Sequence, residues 1–317
     1  MKKIILSQSL LLLLTIFLCN YSHAQMKGDH ILGDVGLQSG TQAPASVSIV
    51  IPLYFYNAST FKNSSGDKLS QSPNINMFFT AIGGSLVSNF KVLGGNWGAS
   101  LLLPFASNKI DGSLVYSKSS LAFSDIYVQP IQLGWHVKQA DFTAGYALYI
   151  PTGKYSVGGS DNSGLGMWVN EFSGGTTVYF DPHKSISFST LLSYSLNGKK
   201  KNSDIQPGDQ LEIEGGLGKT FMKKVEGTPL PMIFNVGIVY YMQYKTSSDN
   251  IPIGDIAVFN GNKDHIYGLG LEGNVFLPKL HSSIGLRWLD ELGACNRFQG
   301  NTFFITLVPY MKFLGHK

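Results

Sequence analysis

The sequence predicts an all-β chain: a transmembrane, antiparallel, up-and-down β-barrel of about twelve strands. Three observations carry that reading. Apolar and polar residues alternate with a period of two, short connections alternate with long ones, and the composition suits a chain bathed in an apolar solvent. Of 317 residues only 14% are charged, 12% are aromatic and 36 are glycine. Beyond residue 24 no apolar run approaches the roughly 20 residues that a spanning helix requires. A chain that enters lipid without such a helix must satisfy its backbone by closing a barrel.

The first element is a leader. Lys2 and Lys3 precede an apolar run, Leu10 to Leu18, and then Ser22-His23-Ala24, the pattern of a cleaved signal peptide over residues 1–24. Cys19 follows Leu18, where a lipoprotein signal would carry a small residue, so cleavage is placed after Ala24. Losing two lysines and no acid takes the net charge from +4 to +2. That near-neutral balance gives no basic face for nucleic acid. Cys295 is then the remaining cysteine, so no internal disulfide and no cysteine metal cluster is expected. Residues 25–44 read as an N-terminal periplasmic or plug segment, and 45–317 as the barrel domain. A disordered or surface-docked N-terminus is the alternative for the segment.

The strands follow in order, centred near Ile49, Ile82, Leu101, Gln129, Tyr146, Ser173, Thr190, Gly215, Ile238, Leu271, Leu286 and Leu307. Successive strand side chains point to opposite faces. Ile186, Phe188, Leu192 and Leu196 therefore share one face, while Ser187, Ser189, Ser193 and Ser195 share the other. Leu211, Ile213 and Leu217 alternate with Glu212, Glu214 and Gly216 in the same way. In the fourth strand the apolar set Ile126 and Val128 changes phase to Ile131, Leu133 and Trp135. Pro130 lacks an amide donor at that point, which predicts a bulge.

Short turns are read at Lys91–Asn96, Lys138–Asp141, Asp181–Lys184 and Pro278–His281, with a moderate one at Met222–Pro231. Between them lie polar loops at Tyr56–Asn74, Ala106–Leu121, Pro151–Gly164, Asn197–Asp209, Lys245–Asp264 and Leu292–Gly300. Outer-membrane barrels sort their connections into short periplasmic turns and long external loops, and a soluble sandwich has no reason to do so. Aromatics near strand ends (Tyr54, Phe55, Tyr56, Phe78, Phe79, Trp97, Phe105, Tyr149, Tyr179, Phe180, Tyr310 and Phe313) are candidates for interfacial girdles.

The polar residues of each strand should face the lumen. That makes Asp125, Gln129, His136, Glu171, Glu212, Glu214, Glu272, Arg287 and Glu291 candidates for a permeation path. A tight turn centred between Lys279 and Leu280 sets Glu272 opposite Arg287, either as a neutralising cross-strand pair or as fixed charge in the path. A twelve-strand barrel is too wide to be filled by strand side chains alone and too narrow for an open porin channel. The segment Gly28–Pro44, with Gly36, Gln38, Ser39 and Gln42, is the candidate plug. Gly216, Gly218, Gly268 and Gly270 would let a chain approach the wall closely. Lys199–Lys201 could meet lipopolysaccharide phosphates, although a solvated charge run is the simpler reading. Asp161-Asn162-Ser163-Gly164 lacks a full calcium ligand set and reads as a turn. No metal site or cofactor is expected. Nor is a catalytic one, because the G-x-S-x-G elbow is absent and no nucleophile, base and orienting partner stand at recognisable spacing.

Several strings spread over the chain carry a resemblance. They include Asp125-Ile-Tyr-Val-Gln-Pro-Ile-Gln-Leu-Gly-Trp-His136, Thr143-Ala-Gly-Tyr-Ala-Leu-Tyr-Ile-Pro-Thr-Gly-Lys-Tyr155, Asn162-Ser-Gly-Leu-Gly-Met-Trp168 and Glu214-Gly-Gly-Leu-Gly-Lys219. Together with Gly36-Leu-Gln-Ser-Gly-Thr-Gln42 and Gln299-Gly-Asn-Thr302, the chain resembles the outer-membrane family named for the meta-cleavage pathway of phenol degradation. The resemblance implies a barrel that acts as a transport channel, associated with catabolism of aromatic compounds, and no catalytic residues. Expected partners are outer-membrane lipid, lipopolysaccharide and a small-molecule solute, in a monomer or homo-oligomer. The alternatives are a structural or surface-binding barrel, or a lipid-modifying barrel enzyme.

Overall fold

The computed structural model describes residues 30–113, 115–251 and 263–314. The leader at residues 1–24, and Gly28 and Asp29 of the N-terminal segment, lie outside the described residues.

The chain forms β1 (Ser46–Lys62), β2 (Asn74–Val92), β3 (Gly95–Asp111), β4 (Tyr116–Phe123), β5 (Ile126–His136), β6 (Ala140–Ile150), β7 (Val169–Tyr179), β8 (Ile186–Asn197), β9 (Gln210–Lys223), β10 (Met232–Lys245), β11 (His265–Leu277), β12 (Ser282–Cys295) and β13 (Arg297–Phe313). Every pairing is antiparallel between chain neighbours, and β1 pairs with β13, which closes the sheet. Both β4 and β5 pair with β3, so they are two parts of one stave interrupted at Ser124 and Asp125. The barrel therefore has twelve staves. No described helix is long and apolar enough to cross a membrane.

Each of the twelve strand centres read from the sequence falls within a strand. The period of two explains why. Phe188, Leu192, Leu217, Ile238, Leu271 and Leu286 lie exposed on the outer wall, where lipid would cover them. Ser187, Ser189, Ser193, Ser195, Glu212 and Glu214 are buried on the inner one. The phase change in β5 is a bulge, with the pairing to β6 slipping between Val128 and Ile131. Its result is that Gln129 and Gln132 both face inward across Pro130.

Three loops are shorter than the sequence suggests, one of them Tyr56–Asn74, where β1 runs on to Lys62 and leaves 63–73 as the connection. Leu292–Gly300 is almost wholly strand, turning on Asn296 alone at φ 54°. Asparagine tolerates that left-handed conformation, which is why one residue suffices. Ala106–Leu121 is likewise mostly ladder, with β3 and β4 paired out to Asp111 and Tyr116. Polar strands projecting beyond the apolar band look like loops in sequence because neither face is apolar there. The connections 151–168, 198–209 and 246–264 remain long, although Lys245–Asp264 includes residues outside those described. The aromatic girdle is also thinner than the sequence suggests. Phe55, Phe105 and Phe180 are exposed on the wall, whereas Tyr54, Tyr56, Tyr149 and Tyr179 are buried and face inward. The aromatic count cannot separate the faces; their phase relative to exposed neighbours does.

Candidate functional site

The interior is organised by the residues preceding β1. From Gln42 at the end with the short turns, the chain runs back through the lumen to His30. Gln42 donates from Nε2 to the Gln132 carbonyl at 3.2 Å. Thr41 donates to Asp141 Oδ2 at 3.1 Å, and Tyr179 donates to the same oxygen at 2.6 Å. Gly40 lies against β7 so closely that a Cβ would fall 2.1 Å from the Thr176 carbonyl carbon. Only glycine fits there. Leu37 rests on a floor from which side chains are missing, with Gly216, Gly218 and Gly237 each leaving room for its methyl groups.

Three carboxylates on the wall hold the middle of this segment. Glu214 accepts from the backbone N–H of Gly33 at 2.6 Å and of Val35 at 3.3 Å. Glu272 accepts from the N–H of Leu37 at 3.1 Å and from Arg287 Nε at 2.5 Å, and Arg287 also donates to the Gly33 carbonyl. The cross-strand register Glu272↔Arg287 is as the turn geometry implies. The pair neutralises charge and also grips the segment. Glu171 bonds His30 Nδ1 at 2.8 Å, with Tyr149 donating to it at 3.2 Å. Burial alone would deprotonate His30, but Glu171, then Glu214 and Asp34, outweigh it and raise its pKa well above the usual imidazole value.

Beyond His30 the lumen next to β9–β13 and β1 is filled. Leu32 packs into a cluster with Tyr54, Tyr56, Val239, Tyr241, Leu289 and Phe304. Tyr56 and Tyr241 donate to Glu291 at 3.0 and 2.8 Å, the tyrosine hydroxyls satisfying a buried carboxylate. Farther out, Arg297 and Lys245 share Asp264, at 3.1 and 3.0 Å. The opposite wall is covered only in part: Ile75, Ala81 and Val87 on its inner face are buried, and Met77 and Phe79 pack on the tyrosine cluster. Met77, Phe79, Ser85, Ser100, Leu102 and Gln129 face inward from β2, β3 and β5 and stay partly exposed. Asp34, in mid-lumen, has a side chain 45% exposed. Asp34 therefore opens onto solvent inside the lumen, beside the segment.

Of the nine luminal candidates, Glu171, Glu212, Glu214, Glu272, Arg287 and Glu291 face the interior, and Gln129 does so at the bulge. Two stand elsewhere. Asp125 lies in the break between β4 and β5, where it accepts from the N–H of Gly153 at 2.8 Å and of Leu165 at 2.6 Å. It is a loop anchor, not a strand residue. His136 is the last residue of β5, its side chain 40% exposed and 3.1 Å from Asp141, so it belongs to the rim rather than to the body of a strand. In the segment, Gly36 packs against Glu272 and Arg287, Ser39 donates to the Glu214 carbonyl at 3.4 Å, Gln42 is buried, and Gln38 takes a left-handed φ of 62°.

Sequence reasoning missed His30, Asp141, Arg297 and Asp34. His30 and Asp34 precede the first strand, where no periodicity assigns a face. Arg297 fell in a stretch read as loop. Lys199, Lys200 and Lys201 are engaged internally, by Asp204, the Leu165 carbonyl and the Pro151 carbonyl. His30, Asp34 and Glu214 bring three ligand-type atoms within 4.8 Å of one another.

These features define a class: a twelve-stave barrel of outer-membrane type with an N-terminal segment bound in its lumen. Residues 58–307 match the model of the family described as "MetA-pathway of phenol degradation", and the chain belongs to that family. No curated protein sequence matches the chain. Among solved structures it is similar to an outer membrane channel from Pseudomonas putida F1, at 11% identity and a TM-score of 0.68, over 89% of this chain and 100% of that one. It also aligns with the beta domain of the Bordetella autotransporter BrkA at 11% identity and a TM-score of 0.45, over 84% and 99% of the two chains.

Proposed function

We propose that the protein is an outer-membrane channel for small molecules, narrowed by its own N-terminal segment. The observation that carries this reading is the asymmetry of the lumen. The segment is bonded along β5–β12, while inward side chains of β2, β3 and β5 remain partly exposed beside it. A purely structural barrel has no need to leave inner side chains partly open on one side. The partly exposed inner face mixes Leu102 with Ser85, Ser100 and Gln129, next to Met77 and Phe79 on the edge of the tyrosine cluster, a surface that suits compact solutes with an apolar or aromatic body and a polar end. The Pseudomonas putida channel agrees with transport, and the family description points to a degradation pathway, but neither names a solute for this chain. Asp34, Glu171, Glu212, Glu214, Asp264, Glu272 and Glu291 outnumber His30, Lys245, Arg287 and Arg297 inside, so the path should prefer cations and neutral solutes over anions.

Liposome flux tests the proposal. Purified protein in vesicles should pass small neutral aromatics and monovalent cations faster than matched anions, and faster than empty vesicles. Flux equal to that of empty vesicles for all three would refute a channel and favour a structural or surface-binding barrel.

A further inference from the structure

We propose that His30, Asp34 and Glu214 form a binding site for a divalent transition-metal ion, zinc being the plainest case, inside the barrel. The inference does not depend on whether the lumen conducts. The ligand spacing comes first. His30 Nε2 stands 3.4 Å from Glu214 Oε1 and 4.0 Å from Asp34 Oδ1, and the three ligand atoms lie within 4.8 Å of one another. Ligands bound tetrahedrally at 2.0–2.1 Å stand about 3.3 Å apart, so an ion enters here with small side-chain adjustments. The outer shell is also built. His30 Nδ1 is 2.8 Å from Glu171 Oε2, the carboxylate–histidine arrangement that fixes the ring and turns the other nitrogen toward a metal. Glu171 is itself held by Tyr149.

The charge provides an independent indication. Glu212 lies one inward position along β9 from Glu214, and diagonally across β8 from Glu171 by the strand register. Its side chain is fully buried and donates nothing; Oε1 accepts from Gln243 at 2.9 Å, and Oε2 has no partner. Asp34, Glu171, Glu212 and Glu214 are thus four carboxylates around a single histidine, and among the described residues no lysine or arginine bonds to any of them. Buried negative charge of this kind calls for a cation or for protons. A dication held by His30 Nε2, Glu214 and Asp34 satisfies that field directly. Asp34 is open to solvent and gives the ion its way in and room for a water ligand. Bound there, the ion would tie residues 30–34 to the β7–β9 wall.

The test uses untagged, chelator-stripped, detergent-purified protein near pH 7.5, titrated with Zn²⁺ against a chromophoric chelator and with Co²⁺ by visible absorption. We expect one ion per barrel and a four-coordinate Co²⁺ band. His30→Ala and Asp34→Asn should each weaken binding by about 100-fold or more, and Glu171→Gln by about 10- to 100-fold at unchanged stoichiometry. Heat-modifiable gel mobility checks that each variant is a folded barrel, and the solvent-exposed Asp34→Asn guards against misfolding of the others. Absence of binding by the native protein, or binding unchanged in both folded His30→Ala and Asp34→Asn, would overturn the proposal.

Discussion

Glu214→Gln is the substitution whose consequence can be worked most directly. Glu214 accepts two backbone amides of the luminal segment, Gly33 N at 2.6 Å and Val35 N at 3.3 Å. A hydrogen bond to a charged partner contributes about 1.5–3 kcal/mol and a neutral one about 0.5–1.5 kcal/mol. Neutralising the acceptor therefore costs roughly 1 kcal/mol at each amide, or about 2–3 kcal/mol for the segment if the two add. Since each 1.4 kcal/mol is a factor of ten, the released population should rise about 30- to 150-fold. The barrel ladder is untouched, so the change is local. Hydrogen exchange read by mass spectrometry on peptides covering residues 31–37 should accelerate by that factor, while peptides from β8 and β9 keep their rates. Unchanged exchange at Gly33 and Val35 in a folded variant would refute the claim that Glu214 holds the segment.

Glu272→Gln should be more damaging than Glu214→Gln, because it strands Arg287, whose side chain is only 11% exposed. Breaking one partner of a buried pair costs about 3–5 kcal/mol, and the midpoint of heat modification on gels should fall further than for Glu214→Gln. Gly40→Val forces a side chain onto the Thr176 backbone, so the segment should leave the wall and residues 36–42 should become open to protease in a barrel that still resists it. Asp125→Asn removes the charge that gathers the amides of Gly153 and Leu165; limited proteolysis within 151–165 should quicken, with no change in ion preference.

The barrel was legible in the sequence wherever a strand meets lipid on one side and the lumen on the other. That condition produces the alternation around Phe188 and Leu217, and it also places the bulge at Pro130. Legibility failed where the condition lapses. Beyond the lipid band both faces are polar, so the outer end of β3, most of β4 and the turn at Asn296 read as loops. Register arithmetic reached Glu272 and Arg287 because one tight turn fixes both. It could not reach His30 or Asp34, which belong to no strand. Their position depends on long-range packing of Leu32, Leu37 and Gly40 against the wall, and no local pattern encodes it. Asp125 stands at a stave break, where a polar residue has the same phase as a luminal one but is taken up by the amides of Gly153 and Leu165.

The central claim is that the luminal segment narrows a conducting path. Single-channel recording in planar bilayers, comparing the intact mature protein with a form lacking residues 30–42, tests it most directly. The account requires a small, cation-preferring conductance in the intact protein and a several-fold larger one in the deleted form. Equal conductance in two correctly folded barrels would contradict it, and so would no conductance in either.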